Sequence, residues 1–420
     1  MKAKESVKNY PSKLRESTNY TVKTIKNICK NIGPRAPGGD SEKKAQEFVS
    51  KELESCCDTV SIEEFSVHPK AFLSWVSICS YLMIVAAILF FFGLGVVSLA
   101  ITLVCLSFVV GEFILYKEML DPLFKKKTSR NVVGIRKPTG EVKRRIIFSG
   151  HIDSSQEWRF THLGGAKLLT SVIVMAVVGF VIGLALPTIA IIKGQGFNPS
   201  LSMYGDDKFL KVLSFIFLGF IPLFFTFSFF INNKLTVIGA IDNLTGAIAS
   251  VAVAKFMQAN NIRFEHTEVR VLTTGSEEVG LRGAKAYSKR HLKECQEIET
   301  VFCNSDTLKD LDFIAIYDRD LSSTVQNDKR VCALIKQAGA TAGIDLPYKP
   351  VFFGASDAAA ISQAGLFAAT LASMDPAPPR YYHTRRDTAD ILEPKSIEAG
   401  LNILLEAAFL YDEQGLKESY

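Results

Sequence analysis

The most prominent hydrophobic pattern is a set of long apolar runs without charge. Residues from Ala71 to Gly111 include no acidic or basic side chain. As a single helix this run would be roughly 60 Å long, about twice the ~30 Å hydrocarbon core of a bilayer. The pattern therefore predicts two membrane spans, Phe72 to Phe92 and Val96 to Leu115, joined by a turn at Gly93-Leu94-Gly95.

A second pair of apolar runs follows at Leu168 to Ile192 and Val212 to Ile231, separated by the polar stretch Lys193 to Lys211. The alternative is a pair of buried core helices, but such helices rarely stay uncharged for about twenty residues. Because the runs come in pairs, each hairpin returns the chain to the side it left. The segments before, between and after the hairpins can then assemble one domain on one side of a membrane.

The remaining sequence alternates between helical and strand periodicities. Apolar residues recur at helical spacing from Val22 to Ile32 and again after Asp40, and Val60 to Val67 has the pattern of a strand. From Asn131 onward strand and helix patterns alternate, ending in a helix after Pro394. This order predicts an α/β fold.

Polar residues suited to catalysis stand at the end of a predicted strand. The run Glu268 to Thr273 is rich in β-branched residues and leads into Thr274-Gly275-Ser276-Glu277-Glu278. Neighbouring residues there point in different directions, so one carboxylate can bind a metal while the other deprotonates a water. The pair therefore predicts hydrolytic chemistry.

Further ligand-type residues follow other predicted strands. His151 and Asp153 come after Arg145 to Gly150, and their i, i+2 spacing places both on one face. Asp242 follows Thr236 to Ile241, where it could bridge two cations. The last two candidates are Asp306, after Thr300 to Asn304, and His383, after the proline-rich turn Asp375 to Pro379.

In type and order this set resembles the di-zinc exopeptidases of the M28 aminopeptidase family. Supporting motifs are Ile32-Gly33-Pro34-Arg35-Ala36-Pro37-Gly38, Gly354-Ala355-Ser356-Asp357 and Tyr382-His383-Thr384 with Asp387-Thr388. The resemblance covers roughly residues 17 to 67, 128 to 166 and 234 to 415. It implies a mixed central sheet flanked by helices, as in zinc exopeptidases, to which the two inserted hairpins add a four-helix transmembrane region.

The resemblance also implies a role for each residue. One zinc ion would be bound by His151, Asp242 and Asp306, and the other by Asp242, Glu278 and His383. Glu277 would be the general base, and Asp153 would orient His151. Cobalt or manganese would suit the same ligands. The implied substrate is a short peptide, cleaved by an aminopeptidase.

The predicted organisation has five segments. The catalytic domain is built from residues 1–70, 117–166 and 232–420, and the transmembrane hairpins are residues 71–116 and 167–231. Since one hairpin leaves soon after Asp153, the metal site is expected near the bilayer surface. Three nearby arginines, Arg380, Arg385 and Arg386, would either recognise a carboxylate or be solvated, and Tyr381 or Tyr382 would either stabilise an oxyanion or pack. Asp357 is predicted to cap the helix Ala358 to Gln363 and is left outside the site.

Charge and cysteine content favour a cytoplasmic catalytic domain and N-terminus. The net charge is +5, and basic residues such as Lys125, Lys126 and Lys127 lie beside the spans, on the catalytic side. No cleavable signal precedes the first apolar run, and the eight cysteines have no disulfide spacing. No basic stripe interleaved with aromatics indicates nucleic-acid binding. The oligomeric state is not predicted.

Four other functions are considered. An inactive membrane scaffold of the same fold would lose metal ligands or the base, which are all present here. A transporter is disfavoured because the spans carry no charged residue near their centres. A carboxypeptidase would use the same ligands with a different pocket. Glutaminyl cyclases share the fold with a one-metal site, although the Glu277-Glu278-Val279-Gly280 and Asp242-Asn243 patterns are more similar to those of the peptidases.

Overall fold

The computed structural model describes residues 5–199, 204–351 and 353–419. Residues 200–203, which belong to the predicted second hairpin, therefore lie outside the described residues, as do residues 1–4, 352 and 420 of the predicted catalytic segments. The chain divides into two compact units. The first contains Met1–Pro69, Lys126–Gln156 and Thr236–Tyr420, and the second contains Lys70–Lys125 and Glu157–Leu235.

The first unit is built on a nine-stranded sheet with the order β1, β2, β6, β3, β7, β11, β8 and β10, where β9 pairs with β8. Strands β6, β3, β7 and β11 are parallel. Strands β1 and β2 run antiparallel to their neighbours in this path, and β8 is antiparallel to β11 but parallel to β10. The predicted mixed sheet is thereby confirmed. The strands of the chain are β1 Thr59–Val67, β2 Lys127–Arg136, β3 Arg144–His151, β4 Gln156–Trp158, β5 Ile231–Thr236, β6 Thr267–Thr274, β7 Glu299–Leu308, β8 Ile314–Asp320, β9 Val325–Gln326, β10 Tyr348–Pro350 and β11 Phe367–Ser373.

Helices pack on the sheet, and α8 is the most buried of them. Its sequence Leu-Thr-Gly-Ala-Ile-Ala-Ser-Val-Ala-Val-Ala is apolar on all sides, as expected of a helix enclosed by the core. It contacts β3, β6 and β7 on the sheet and α1 and α12 beyond it. The helices of the chain are α1 Pro11–Asn31, α2 Asp40–Glu54, α3 Ser74–Phe91, α4 Gly95–Phe108, α5 Arg159–Ile192, α6 Lys208–Leu218, α7 Ile221–Phe227, α8 Leu244–Ala259, α9 Arg282–Glu297, α10 Lys329–Ala342, α11 Asp357–Gln363 and α12 Pro394–Gln414.

The second unit contains the apolar helices α3 to α7. Four helical stretches are long and apolar enough to cross a membrane, by length and composition: Ser74–Phe91, Gly95–Ile114, Arg159–Ile192 and Lys208–Phe227. The turn between α3 and α4 meets the loop after α5, because the Val96 amide donates to Gly196 O (2.8 Å) and the Asn198 amide donates to Gly93 O (2.9 Å). Both helical hairpins therefore turn at the same end of this unit.

Two predictions for the segment that precedes Asp242 differ from the structure. The fourth apolar stretch ends at Phe227 rather than Ile231, because Ile231–Thr236 forms β5 and pairs with β4 in a separate two-stranded sheet. The strand predicted for Thr236 to Ile241 is wrong, since residues 237–241 form a loop. Val237, Ala240 and Ile241 are buried although this segment pairs with no neighbouring strand.

A buried ion network joins the parallel strands at the end opposite their carboxyl termini. Arg145 of β3 lies opposite Glu268 of β6, and its Nε is 2.5 Å from Glu268 Oε1. Arg270 Nε contacts the same oxygen at 2.7 Å, and Arg145 also donates to Thr300 Oγ1 of β7. The side chains of Arg145, Glu268 and Arg270 are each less than a tenth exposed. Glu294, whose side chain is partly exposed, also pairs with both guanidinium groups, so two carboxylates balance the two buried cations.

Removing this shared charge is predicted to destabilise the first unit. Glu268→Gln leaves two buried cations short of a partner, which costs about 3 kcal/mol when a buried pair is broken. Thermal unfolding of the purified protein in detergent should show a clear fall in the midpoint. Glu265→Gln is the matched control, because the Glu265 side chain is 81% exposed. Equal midpoints for the two variants would contradict a structural role for the network.

Candidate metal centre

The first candidate ligand stands at the carboxyl end of β3. His151 is the last residue of that strand and is buried, and Asp153 lies two residues further on with no exposed surface. The Nδ1 atom of His151 is 3.5 Å from Asp153 Oδ1, so its Nε2 atom is left to face the centre of the site. This is the arrangement in which a carboxylate orients a ligating imidazole.

The paired glutamates lie in a short 3-10 turn, Glu277–Val279, directly after β6. Asp153 holds this turn as well. Its Oδ1 accepts a hydrogen bond from the Glu277 amide at 3.0 Å, and its Oδ2 accepts one from the Glu278 amide at 3.1 Å. One buried carboxylate therefore fixes His151 relative to both glutamates.

Asp242 lies between the two imidazoles. Its Oδ1 is 3.2 Å from His151 Nε2, and its Oδ2 is 3.0 Å from His383 Nε2. The two oxygens of one carboxylate thus face two different nitrogen ligands, as a bridging carboxylate does in two-metal sites. The peptide bond between Asp242 and Asn243 is cis.

Asp306 and Glu278 complete the cluster. Asp306 belongs to β7 itself rather than to the loop beyond it, and its Oδ1 is 4.0 Å from His151 Nε2. Glu278 Oε2 is 3.2 Å from His383 Nε2. Glu277 Oε2 points to the same centre, 3.7 Å from His151 Nε2. All seven residues predicted for the site are therefore brought together.

Two triads in this cluster have the composition of metal sites. The first is His151, Asp242 and Asp306, and the second is Asp242, Glu278 and His383; within each, the ligand atoms lie within 4.8 Å of one another. A third possible group combines His151 with both glutamates. The mixed imidazole and carboxylate shell is one that zinc accepts. Glu278 Oε1 is buried without a hydrogen-bond partner among the described residues, which also fits a cation there.

The family model described as Peptidase family M28 matches residues 226–408. That region contains the two glutamates and the ligand candidates Asp242, Asp306 and His383, whereas β3 with His151 precedes it. The resemblance to peptidase family M28 is confirmed. No curated protein sequence matches the chain.

Solved structures show the same fold. The zinc aminopeptidase BSAP from Bacillus subtilis superposes with a TM-score of 0.55 at 14% identity, over 94% of each chain. The aminopeptidase from Aneurinibacillus sp. strain AM-1 gives 0.54 at 15% identity, over 94% of this chain and 93% of the other. A glutaminyl cyclase from an Acidobacteriales bacterium gives 0.54 at 11% identity, over 95% and 96%. The two aminopeptidases and the cyclase thus share one architecture with this chain.

The candidate site is crowded with buried carboxyl groups and has few positive charges, and burial changes their pKa values. Burial raises the pKa of Glu277 and of Glu278 well above the usual range, with neighbouring carboxylates adding to the effect. It also raises the pKa of Asp306 to about 7. Burial alone would raise the pKa of Asp242 too, but its hydrogen bonds to the two imidazoles outweigh it and lower that pKa. Bound cations would relieve this repulsion.

A buried glutamate of α2, which no sequence motif marks, holds the turn that carries Glu277 and Glu278. Glu42 accepts hydrogen bonds from the Ser276 amide (2.7 Å) and from Ser276 Oγ (3.0 Å) through one oxygen. Its other oxygen accepts from the Gly38 amide and Ser129 Oγ. Burial, reinforced by the charge of Asp153, raises the pKa of Glu42 to about 8. In the sequence Glu42 looks like an ordinary acidic residue in the first turn of a helix, so no signal marked it.

Two further side chains hold the loop that carries Asp242. Asp387 accepts hydrogen bonds from the amides of Ile241 (2.7 Å) and Asp242 (3.1 Å). Asn243 donates to Ser305 O and accepts from the Thr307 amide, which joins this loop to β7 on either side of Asp306. Both residues were part of quoted motifs, but their sequence positions did not reveal these partners.

The structure also decides several residues whose roles were open. The prediction that Asp357 caps α11 is wrong, because Asp357 is the first residue of that helix and Ser356 takes the N-cap position. Asp357 accepts a 2.5 Å hydrogen bond from Thr274 Oγ1 at the end of β6. Tyr381 donates to Asp310 Oδ2 at 2.7 Å, which explains it as a packing residue. The ring of Tyr382 stacks on that of His383, with centroids 3.9 Å apart.

The acids of the site predict how metal removal changes stability with pH. In the metal-free protein the pKa values of Asp306 and Asp387 are both raised to about 7, above their value in the unfolded chain. The folded state therefore binds more protons between about pH 4 and pH 7, and its free energy of unfolding falls as the pH rises through that window. Zinc should raise the thermal midpoint of chelator-treated protein by about 5 °C more at pH 8 than at pH 5.5. Magnesium is the control, and equal zinc shifts at both pH values would contradict this account.

Proposed function

We propose that the chain is a membrane-anchored, zinc-dependent aminopeptidase that acts on short peptides. The observation that carries the proposal is the position of Asp242, whose two oxygens face His151 and His383 within 3.2 Å. A single bridging carboxylate between two imidazoles supports a site for two metal ions, which the one-metal cyclase alternative does not need.

The proposed ligands are those predicted from the sequence. His151, Asp242 and Asp306 would hold one zinc ion, and Asp242, Glu278 and His383 the other. Bound zinc would supply an acidified water and polarise the scissile carbonyl. The inactive scaffold alternative is disfavoured because the ligand atoms converge and the base is beside them.

Glu277 is proposed as the general base that accepts a proton from the attacking water. Its side chain is buried next to His151 but is placed in neither of the two proposed ligand sets. Its raised pKa suits a base that takes a proton from water and returns it to the leaving amine. Asp153 is proposed to hold His151 and Glu277 at a fixed separation. Tyr382, whose ring stacks on that of His383, is the proposed hydrogen-bond donor to the oxyanion.

The charge of the site supports an amino-end preference. The titratable side chains in and around the cluster are predominantly acidic; the acids are Glu42, Asp153, Asp242, Glu277, Glu278, Asp306, Asp357 and Asp387. A surplus of negative charge favours the ammonium group of a peptide over its carboxylate. The three candidate carboxylate-binding arginines, Arg380, Arg385 and Arg386, are all exposed.

The adjacent glutamates give the sharpest test of these roles. Glu277→Gln should keep zinc stoichiometry and lower kcat by about 10²- to 10⁴-fold, as expected when a general base is lost. Glu278→Gln, the same change one residue later, should weaken zinc binding. Activity is measured with amino-blocked and carboxy-blocked dipeptides and a peptide with N-terminal glutamine, with zinc added. Near-normal kcat in Glu277→Gln, cleavage only of amino-blocked substrates, or cyclisation without cleavage would each refute part of the proposal.

The anchoring is proposed from the second unit, with four spans and a cytoplasmic catalytic unit and N-terminus. Large apolar side chains are exposed along α5, including Val174, Val177 and Val181, each more than half exposed. Such a continuous apolar surface suits lipid contact. The charge distribution described above supports the orientation.

Membrane topology can be tested with two epitope tags. The full chain should stay in the membrane pellet after alkaline carbonate washing. A tag between Gly194 and Gly196 should be protected from protease added to the cytoplasmic side, and a tag at the C-terminus should be digested. The untagged chain controls for integrity. Two tags on the same side would contradict the hairpins, and exchanged sides would contradict only the orientation.

A further inference from the structure

Arg35 is a buried cation in the segment between α1 and α2. Its side chain has no exposed surface. Its guanidinium donates to four backbone carbonyls: Nε to Ile152 O (2.5 Å), Nη1 to Gly33 O (3.2 Å) and Ile238 O (2.7 Å), and Nη2 to Gly239 O (2.8 Å). Among the described residues, every hydrogen-bond acceptor of this guanidinium is a main-chain oxygen.

These carbonyls belong to the loop that follows His151 and to the loop that carries Asp242. Ile152 separates His151 from Asp153, and Gly239 precedes Asp242 by three residues. The loops are more than eighty residues apart in the chain, yet one planar group binds both. The position of Arg35 therefore constrains the distance between one proposed ligand and the bridging carboxylate.

Ser154 strengthens this connection. The Arg35 amide donates to Ser154 Oγ (2.9 Å), the Ser154 amide donates to Arg35 O (3.0 Å), and Ser154 Oγ donates to Val237 O (2.9 Å). The main chain of Arg35 thus binds the loop after His151, and the Ser154 hydroxyl connects it to the loop before Asp242. A displacement of either loop would break hydrogen bonds made by the Arg35 guanidinium and by Ser154.

The loop before Asp242 is shaped around the guanidinium. Gly239 has φ +63°, and a Cβ there would lie 2.5 Å from Ser154 Cβ and 3.0 Å from Arg35 Nη2. Residues 237–241 form no strand, so their carbonyls need donors from elsewhere. Arginine offers five donors in a fixed fork, which lysine with its single rotating ammonium cannot match. Burial lowers the pKa of the Arg35 guanidinium, and the nearby carboxylates of Asp387, Asp153 and Asp242 oppose that shift.

We propose that Arg35 is a positioning residue for the metal centre, which sets the spacing between His151 and Asp242. The inference rests on the proposed function, because it assumes that these two side chains bind a common zinc ion. It adds a requirement that the ligand set alone does not contain: the fork of Arg35 must be intact for the centre to bind metal at full affinity.

The test compares Arg35→Lys with Arg136→Lys in the full-length protein. Arg136 is a matched control, because it is also buried and donates to Cys56 O, to Gln258 Oε1 (2.8 Å) and to Ile262 O (2.9 Å), none of which carries a proposed ligand. Zinc affinity is measured by competition with a chromogenic chelator, and the visible spectrum of the cobalt-substituted protein reports ligand geometry. Arg35→Lys should bind zinc about 10- to 100-fold more weakly and change the cobalt spectrum. Arg136→Lys should do neither.

A milder variant covers the case in which Arg35→Lys does not fold. Ser154→Ala removes the hydroxyl that joins Arg35 to Val237, and it should weaken zinc binding several-fold in the same direction. Wild-type affinity and spectrum in every folded variant, or equal losses in Arg35→Lys and Arg136→Lys, would overturn the inference. A wild-type protein that binds no zinc would instead overturn the proposed function.

Discussion

The structure depends on a concentration of buried negative charge at the carboxyl edge of the parallel strands. Asp153, Asp242, Glu277 and Glu278 lie within hydrogen-bond or ion-pair distance of one another or of shared imidazoles, and each is less than a tenth exposed. Carboxylates cannot all ionise in such surroundings without compensating positive charge. Two histidines and one arginine supply too little of it. Bound cations would supply the missing positive charge, and the stability of the folded unit would then depend on their concentration.

The ligands are held in two different ways. His151 and Asp306 belong to the ladder of parallel strands, where the strand register sets the positions of their main chain. Asp242 and the glutamates stand on loops and need other support. Buried charged side chains supply this support through hydrogen bonds to the main chain. Asp387 and Arg35 hold the Asp242 loop. Asp153 and Glu42 hold the turn that carries the two glutamates. The geometry of the site thus depends on residues that would not themselves bind metal.

This division explains what could be predicted from the sequence. Strand-end placement of acids and imidazoles is visible as a pattern, so the sequence predicts side chains that the structure brings together, and the predicted α/β fold is confirmed. The supporting residues were not found, because a first-turn glutamate such as Glu42 has many ordinary explanations and its partner Ser276 is far away in the chain. The wrong strand at Thr236 to Ile241 has the same origin. A β-branched run predicts a strand, but here the carbonyls of Ile238 and Gly239 are bound by the side chain of Arg35, a partner that local periodicity does not encode.

The points of insertion are consistent with an undisturbed catalytic unit. Val67 and Lys127, which flank the first apolar insertion, are paired residues of the antiparallel strands β1 and β2. At the second insertion the Val237 amide donates to Ser155 O at 2.9 Å, so the chain leaves and returns at neighbouring positions. A segment inserted between two positions that already lie close together needs little additional loop-closure entropy from the surrounding fold. The ends of the second insertion are also the loops that Arg35 and Ser154 join, which means that the same contacts hold the proposed ligands in place and close the chain across the inserted helices.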